Sequence, residues 1–520
     1  MSRASDRVMN LATFLRQAAR RFPDRAAIIW GDRAWSWHEL DRRVDAASSM
    51  LASMGIAKGD CVLIQSRNSN QLIETMFACF RLGAIWVPSN FRQTPNEIAS
   101  LARSSGAAAM LCEIEFAEHA TLCGIERTVF LDDLGSGGYE TRLAAADGTG
   151  APDVRVDYDD PCWFFFTSGT TGRPKAAILT HGQMGFVITN HLCDLLPGTT
   201  EADASLVVAP LTHGAGVHLL TQVARGAKTV IPAGANFDAS EIWDLVEKWR
   251  ITNMFTVPTI LKLLVEHPAA EAADRTSLRH VIYAGAPMYR RDQRKALKLL
   301  GPVLVQYFGL GEVTGAITVL PPRDHDAHDG PGVKVGTCGR ERTAIEVSIQ
   351  DMDGNTLDAG ITGEICVCGP AVFAGYHDNP DANAAAFRDG WFRTGDLGYL
   401  DSDGDLFITG RASDMFISGG SNIYPLEIEE AILAHPSVAE AAVLGVPDAL
   451  WGEVGIAVCI ARHGHVICAK DLVQWLRGRI APYKIPKEFH FWDALPRSAY
   501  GKVAKAELRA LIEKGRSQAC

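Results

Sequence analysis

Residues 163–181 read WFFFTSGTTGRPKAAILTH. A fully apolar run ends abruptly in hydroxyls and glycines, and a lysine follows a proline. The run WFFF reads as a short buried strand. Glycines directly after a strand let the backbone turn tightly and aim several N–H groups at one anion. Thr167, Ser168, Thr170 and Thr171 add hydroxyl donors, and Lys175 adds positive charge. The stretch therefore reads as a clamp for phosphate. It is not a Gly-x-x-x-x-Gly-Lys-Ser/Thr loop, because Gly169 and Gly172 are separated by two residues and Lys175 follows Pro174.

Such a clamp needs a framework. Over the first three hundred or so residues, β-rich runs alternate with helical patterns. CVLIQS (61–66) precedes a helix-like NQLIETMFACFRLG (70–83), then AIWVP (84–88). SLVVAP (205–210), GVHLLTQVARG (216–226) and KTVIPA (228–233) repeat the theme, followed by EIWDLVEKWR (241–250), TNMFTVP (252–258) and HVIYAGAP (280–287). Strand, helix and strand at these intervals predict mostly parallel sheets with crossover helices. From about 340, AIEVSIQDMDGNTLDAG and GEICVCG predict short strands joined by Asp-Gly turns, hence a small barrel or meander. After GRASDMFISGGSNIYP (410–425) a compact α+β unit of roughly a hundred residues follows. The expected class is α/β in two parts: residues 1–410, with parallel sheets plus the small β-barrel, and a small C-terminal domain over 411–520.

Bulk properties narrow the function. The chain has 520 residues, 47% hydrophobic and 21% charged, so a large core is available. A net charge of −11 argues against a general nucleic-acid or anionic-membrane surface. The N-terminal stretch lacks a continuous apolar signal core and fits an amphipathic helix, and no apolar run reaches membrane-spanning length. Twelve scattered cysteines, the closest pair being Cys366-Val-Cys368, form neither a redox nor a zinc motif and read as free thiols in a reducing cytoplasm. DHDAHDG (324–330) fits no standard metal spacing and reads as a solvated loop.

The clamp string resembles [Tyr/Phe]-Thr-Ser-Gly-Thr-Thr-Gly-x-Pro-Lys-Gly, the phosphate loop of the adenylate-forming enzymes: acyl-CoA synthetases, peptide adenylation domains and firefly luciferase. Ala176 stands where that family usually has glycine. Further blocks resembling the family follow in order over roughly residues 10–510. In PLTHGAG (210–216), the resemblance places His213 beside the acyl pocket. In YAGAP (283–287), it lays Gly285, Ala286 and Pro287 along the adenine. In QYFGLGE (306–312), it makes Phe308 the stacking aromatic and Glu312, with Thr170 of the clamp, the Mg²⁺ position. Gly285, Tyr307 and Gly309 fall on the acyl pocket with His213. GWFRTGDLGYL (390–400) gives Asp396 for the ribose hydroxyls, joined by Arg411. GGSNIYP (419–425) and ALWGE place Gly419, Gly420 and Trp451 toward coenzyme A. In PRSAYGKVAK (496–505), Lys502 is the lysine that bridges carboxylate and α-phosphate.

The resemblance implies an AMP-forming acyl-CoA ligase using ATP, Mg²⁺ and CoA. The acid becomes an acyl-adenylate, the small domain swings about Ser413, and the CoA thiol then takes the acyl group. Three further residues depart from the family pattern. Tyr307 replaces a pocket glycine, Gly311 replaces a phosphate-contacting threonine for which Thr314 is a nearby substitute, and Ser413 replaces the usual Asp or Lys. The stretch Leu211–Ala215 carries no acid, which disfavours an amino-acid substrate. Two rival readings are a ligase that loads a separate carrier-protein thiol and a degenerate nucleotide-binding protein. The expected partners are a small carboxylic acid, ATP and CoA, without nucleic acid, and a homodimer is compatible with the sequence.

Overall fold

Capping residues set where the helices start. Ser36 with Glu39, Thr94 with Glu97 and Thr180 with Gln183 form reciprocal capping boxes on helices Trp37–Ser53, Pro95–Ser105 and His181–Asp194. Gly83, Gly106 and Gly226 end three helices in the left-handed conformation. The structure is a computed structural model that describes residues 7–150, 152, 154–168, 174–234, 236–330, 332–418, 421–448, 450–497 and 503–518.

The strands gather into four sheets. A six-stranded sheet runs, in spatial order, Thr128–Phe130, Ala109–Cys112, Cys61–Gln65, Ile85–Ser89, Pro161–Ser168 and Pro174–Thr180. Its pairs are parallel except the last, an antiparallel hairpin. A nine-stranded sheet has six parallel strands at its centre, among them Ala204–Val207, Asn253–Thr256, His280–Tyr283 and Leu304–Phe308, and antiparallel strands at both ends. Strand alternation sends Val62, Ile64, Trp86 and Trp163 of one sheet, and Val207, Phe255, Ile282 and Val305 of the other, into one shared core. The opposite faces are covered separately, by clusters including Leu63 and Phe164 and including Leu206 and Met254. Burial on both faces is why these strands read as continuous apolar runs.

Residues 346–411 form a five-stranded antiparallel sheet, where the sequence suggests a small barrel or meander. The chain leaves it at Arg411 and enters the C-terminal sheet at Phe416. That sheet is buried on both faces: Val443 and Ala457 face one cluster, Leu444 and Val458 the other. Tyr289, just past the 283–287 segment, packs against the first of these clusters and so joins the two parts of the chain. No helix among the described residues is long and apolar enough to cross a membrane, and all eleven described cysteines are free thiols.

Two buried histidines support the large domain as neutral rings. His181 accepts the Leu11 amide at 3.2 Å, and His218 meets Asn253 Oδ1 at 2.9 Å. Burial pushes His181 down to about 3 and His218 to about 4, from 6.5. The unfolded chain therefore takes up protons near pH 6.5 that the folded chain refuses, so stability falls as pH drops from 6.5 toward 4. Each histidine contributes about 1.4 kcal/mol per pH unit in that window. The urea unfolding midpoint should be clearly lower at pH 5.5 than at pH 7.5, and an unchanged midpoint would contradict this role.

Candidate active site

The hairpin Pro161–Ser168/Pro174–Thr180 sorts its residues by strand alternation. Phe164 and Phe166 enter the outer core, whereas Trp163, Phe165 and Thr167 face the layer between the two large sheets. Lys175 lies opposite Thr167 in register. Of the clamp residues read from the sequence, Gly169, Thr170, Thr171 and Gly172 lie outside the described residues, as does the side chain of Ser168.

Glu312 is where three parts of the chain meet. It sits in a short turn, Gly311–Val313, directly after the strand Leu304–Phe308, and is only 5% exposed. Its Oε1 accepts the Thr167 hydroxyl at 3.0 Å and the Tyr376 hydroxyl at 2.9 Å. Tyr376 arrives from the antiparallel region because residues 374–377 pair with the edge of the hairpin. The Ile178 amide donates to Gly375 at 2.9 Å, Ala374 donates to Ile178 at 3.0 Å, and His377 donates to Ala176 at 2.9 Å. Asn383 fixes Tyr376 further, accepting its amide at 2.6 Å and donating to its carbonyl at 2.9 Å. Burial and the neighbouring Glu312 carboxylate hold the Tyr376 phenol above its ordinary pKa, so it stays a donor. The Lys175 ammonium lies 5.1 Å from the Tyr376 ring centre. The result is a carboxylate, a cation and two hydroxyls packed at the mouth of the hairpin.

Beside this cluster, Gly285, Ala286 and Pro287 form an exposed platform after the strand His280–Tyr283. Tyr283 anchors it from beneath. Its hydroxyl donates to Gln306 Oε1 at 3.1 Å, receives Gln293 at 2.9 Å and meets His325 Nε2 at 3.1 Å. The loop read as solvated is thus held at His325, which is half-buried. Arg290 and Arg294 grip Asp329 at 2.9 and 2.8 Å. Lys334 pins the following residues to Asp401, Asp403 and Asp405 at 2.7–2.8 Å. No three metal-ligating side chains converge among the described residues. Phe308 is half-buried beside the platform. Asp396, 6% exposed, pairs with Arg411 at 3.0 Å, directly across two strands.

The strand that leads to Glu312 also carries Tyr307, which is buried in an aromatic cluster. His213 caps the helix Gly214–Arg225, bonds Thr212 at 2.9 Å and meets the Phe165 ring edge-on at 5.5 Å. Tyr307 stacks on Phe255 at 6.0 Å and faces His191 at 6.1 Å. Its ring covers Gly315, which in turn lies against Gly309, so these glycines let the aromatic wall approach the turn. Arg342, fully buried, ties that turn from behind by donating to Gly315 O at 3.2 Å and to His191 Nδ1 at 3.1 Å. Thr314 does not stand in for the missing threonine. It is left-handed at φ 50°, and its hydroxyl donates to the Val313 carbonyl at 2.7 Å.

On the C-terminal side, Gly419, Gly420 and Lys502 lie outside the described residues. Trp451 is 46% exposed, with the Lys487 ammonium 5.8 Å above its ring. Ser413 is exposed and donates to Asp414 at 3.2 Å, and Asp414 pairs with Lys505 at 3.4 Å. The sequence analysis missed Tyr376 and Phe165. Phe165 sits next to the clamp motif, and only strand alternation marks which way it points.

The family model for AMP-binding enzymes matches residues 15–377, and the model of their C-terminal domain matches 427–502. The chain belongs to the AMP-binding enzyme family. This AMP-binding enzyme is 37% identical over 493 residues to a feruloyl-CoA synthase of an Amycolatopsis species, covering 94% of this chain and 96% of that one. It is 35% identical to the indoleacetate–CoA ligase of Aromatoleum aromaticum, over 97% of this chain and 99% of the relative. Among solved structures it is similar to the Bacillus subtilis o-succinylbenzoate CoA synthetase in complex with its acyl-adenylate. That match has a TM-score of 0.83 at 30% identity and covers 95% and 97% of the two chains. The AMP-binding enzyme is therefore an acid-activating ligase of the acyl-CoA synthetase branch. Changing Tyr376→Phe removes one of the two bonds on Glu312, so the KM for ATP in pyrophosphate release should rise about tenfold with the fold intact. An unchanged KM would mean the bond does not orient Glu312.

Proposed function

We propose that this enzyme activates an aryl carboxylic acid with ATP and transfers the acyl group to coenzyme A. One observation carries the substrate class: Tyr307, where the resemblance implies a pocket glycine, is buried and stacks on Phe255, and the Phe165 and His213 rings meet edge-on nearby in the chain's aromatic cluster. Flat aromatic walls favour a flat ring, and buried Tyr307 takes the volume that a long linear chain needs. The names of similar proteins, which act on ferulate, indoleacetate and succinylbenzoate, support an aryl acid.

In this reading the phosphates of ATP lie at the hairpin, against Thr167, Ser168, Gly169, Thr170, Thr171, Gly172 and Lys175. The adenine lies between the 285–287 platform and Phe308, and the ribose hydroxyls donate to Asp396, which Arg411 orients. Glu312 suits a hard divalent cation: it is a carboxylate, and among the described residues its side-chain hydrogen bonds fall on Oε1. Magnesium held there with Thr170 would offset the phosphate charge. The acid carboxylate lies by His213 and attacks the α-phosphorus in line, the bond to the β-phosphate oxygen breaks and pyrophosphate leaves, while Lys502 bridges the carboxylate and the α-phosphate. Catalysis is then positioning and electrostatic preorganisation. The C-terminal domain, residues 411–520, turns about Ser413 and brings Gly419, Gly420 and Trp451 toward the CoA arm. Eleven free cysteines fit a reducing cytoplasm.

Acyl-CoA and AMP should be measured by mass spectrometry with ATP, Mg²⁺ and CoA over aryl, short and medium linear acids. The expected result is kcat/KM for the best aryl acid at least about tenfold above any linear acid, and a preference for linear acids would contradict the substrate class. Acyl-adenylate that accumulates without CoA transfer would favour a carrier-protein acceptor. Lys502→Ala should lower adenylate formation by about 10²–10³ (~3–4 kcal/mol), yet still convert a supplied acyl-adenylate and CoA to thioester. Normal adenylation by that variant would remove Lys502 from the mechanism.

A further inference from the structure

Gly311 opens the turn that carries Glu312, at the position where the family resemblance implies a threonine. Its backbone is not left-handed, so conformation alone does not demand glycine. Space does. A Cβ at Gly311 would lie 2.5 and 2.6 Å from two ring carbons of Phe165 and 3.1 Å from Cγ2 of Thr167. The Phe165 ring has moved into the volume that a side chain at 311 would fill. It is half-buried, 5.8 Å from Trp163 behind it and 5.5 Å from His213 in front. Along its own strand, the next residue on that face is Thr167, bonded to Glu312. The ring is therefore wedged between the residue bordering the acid recess and the residues of the phosphate cluster.

We propose that Phe165, seated in the space that Gly311 leaves, sets the specificity of the enzyme at the first carbon beyond the substrate carboxylate. The proposal rests on the reading in which the carboxylate lies by His213. Such a carboxylate reaches the α-phosphate only by passing its α-carbon along the Phe165 ring. A planar or unbranched α-carbon slides past. A methyl branch there meets a ring that Trp163 backs on one side and the 311 backbone on another, so the ring has nowhere to retreat. Phe165 and Gly311 are a matched pair: the glycine is needed because of the ring, and the ring bounds the substrate.

The test compares cinnamic with α-methylcinnamic acid by kcat/KM in pyrophosphate release, a ratio that does not depend on the folded fraction of a variant. The wild type should favour the unbranched acid by more than about tenfold. Phe165→Val should cut that preference by about tenfold and leave the KM for ATP within about threefold. Gly311→Thr should raise the acid KM, and the double variant Phe165→Val/Gly311→Thr should recover it, because the ring that clashes is gone. An unchanged preference in Phe165→Val, or a double variant no better than Gly311→Thr, overturns the proposal. If the wild type takes only aliphatic acids, the aryl-acid reading fails. Hexanoate against its α-methyl derivative then decides the role of Phe165 by the same ratios.

Discussion

A carboxylate buried where three sheets of a chain meet is expensive unless its surroundings supply donors or a counter-charge. Glu312 is such a group. The nine-stranded sheet supplies the turn that carries it, the six-stranded sheet supplies Thr167, and the antiparallel region supplies Tyr376. The arrangement works because residues 374–377 extend the hairpin edge through three backbone bonds, which fixes Tyr376 before any side-chain contact is counted. Displacing one sheet would leave a buried anion with too few partners, so the fold and the site share one constraint.

The same junction separates two chemistries. On one side are charges and hydroxyls, with Lys175 beside Tyr376 and Asp396 beside Arg411. On the other are rings, with Phe165, His213, Phe255 and Tyr307 over the backbone of Gly315. An acid bound across it would place its carboxylate with the charges and its body among the rings, which is the polarity that activation by ATP requires. The C-terminal domain packs on Tyr289, next to the platform, through a core cluster of its own.

Much of this was legible in the sequence. The runs 61–66, 84–88 and 280–287 became strands, and the pattern at 70–83 became the helix Asn70–Leu82, because burial on both faces and clear caps leave strong local signals. His213, Tyr307, Glu312 and Asp396 were singled out as candidates by their motifs alone. Tyr376 was not: its place depends on pairing between an edge strand and a segment some two hundred residues later, which no local period records. Thr314 looked interchangeable with a threonine at 311 until its left-handed backbone turned the hydroxyl onto Val313. The loop at 324–330 is mostly exposed, as its composition suggests, and what the sequence did not show is its anchoring by Arg290, Arg294 and Tyr283 from elsewhere in the chain. Gly311 departs from the family pattern, and a Cβ there would meet the Phe165 ring of the neighbouring sheet.

The central claim is that Glu312 does chemical work beyond holding three sheets together. The isosteric change Glu312→Gln separates these roles, since its amide oxygen still accepts from Thr167 and Tyr376 but carries no charge. Acid-dependent exchange of pyrophosphate into ATP, measured beside thermal unfolding of the same sample, reads both. The expected result is an unfolding temperature within a few degrees of wild type and exchange lowered by about 10² or more, near 2.7 kcal/mol. Exchange within twofold of wild type would contradict it and leave Glu312 as a structural tie alone.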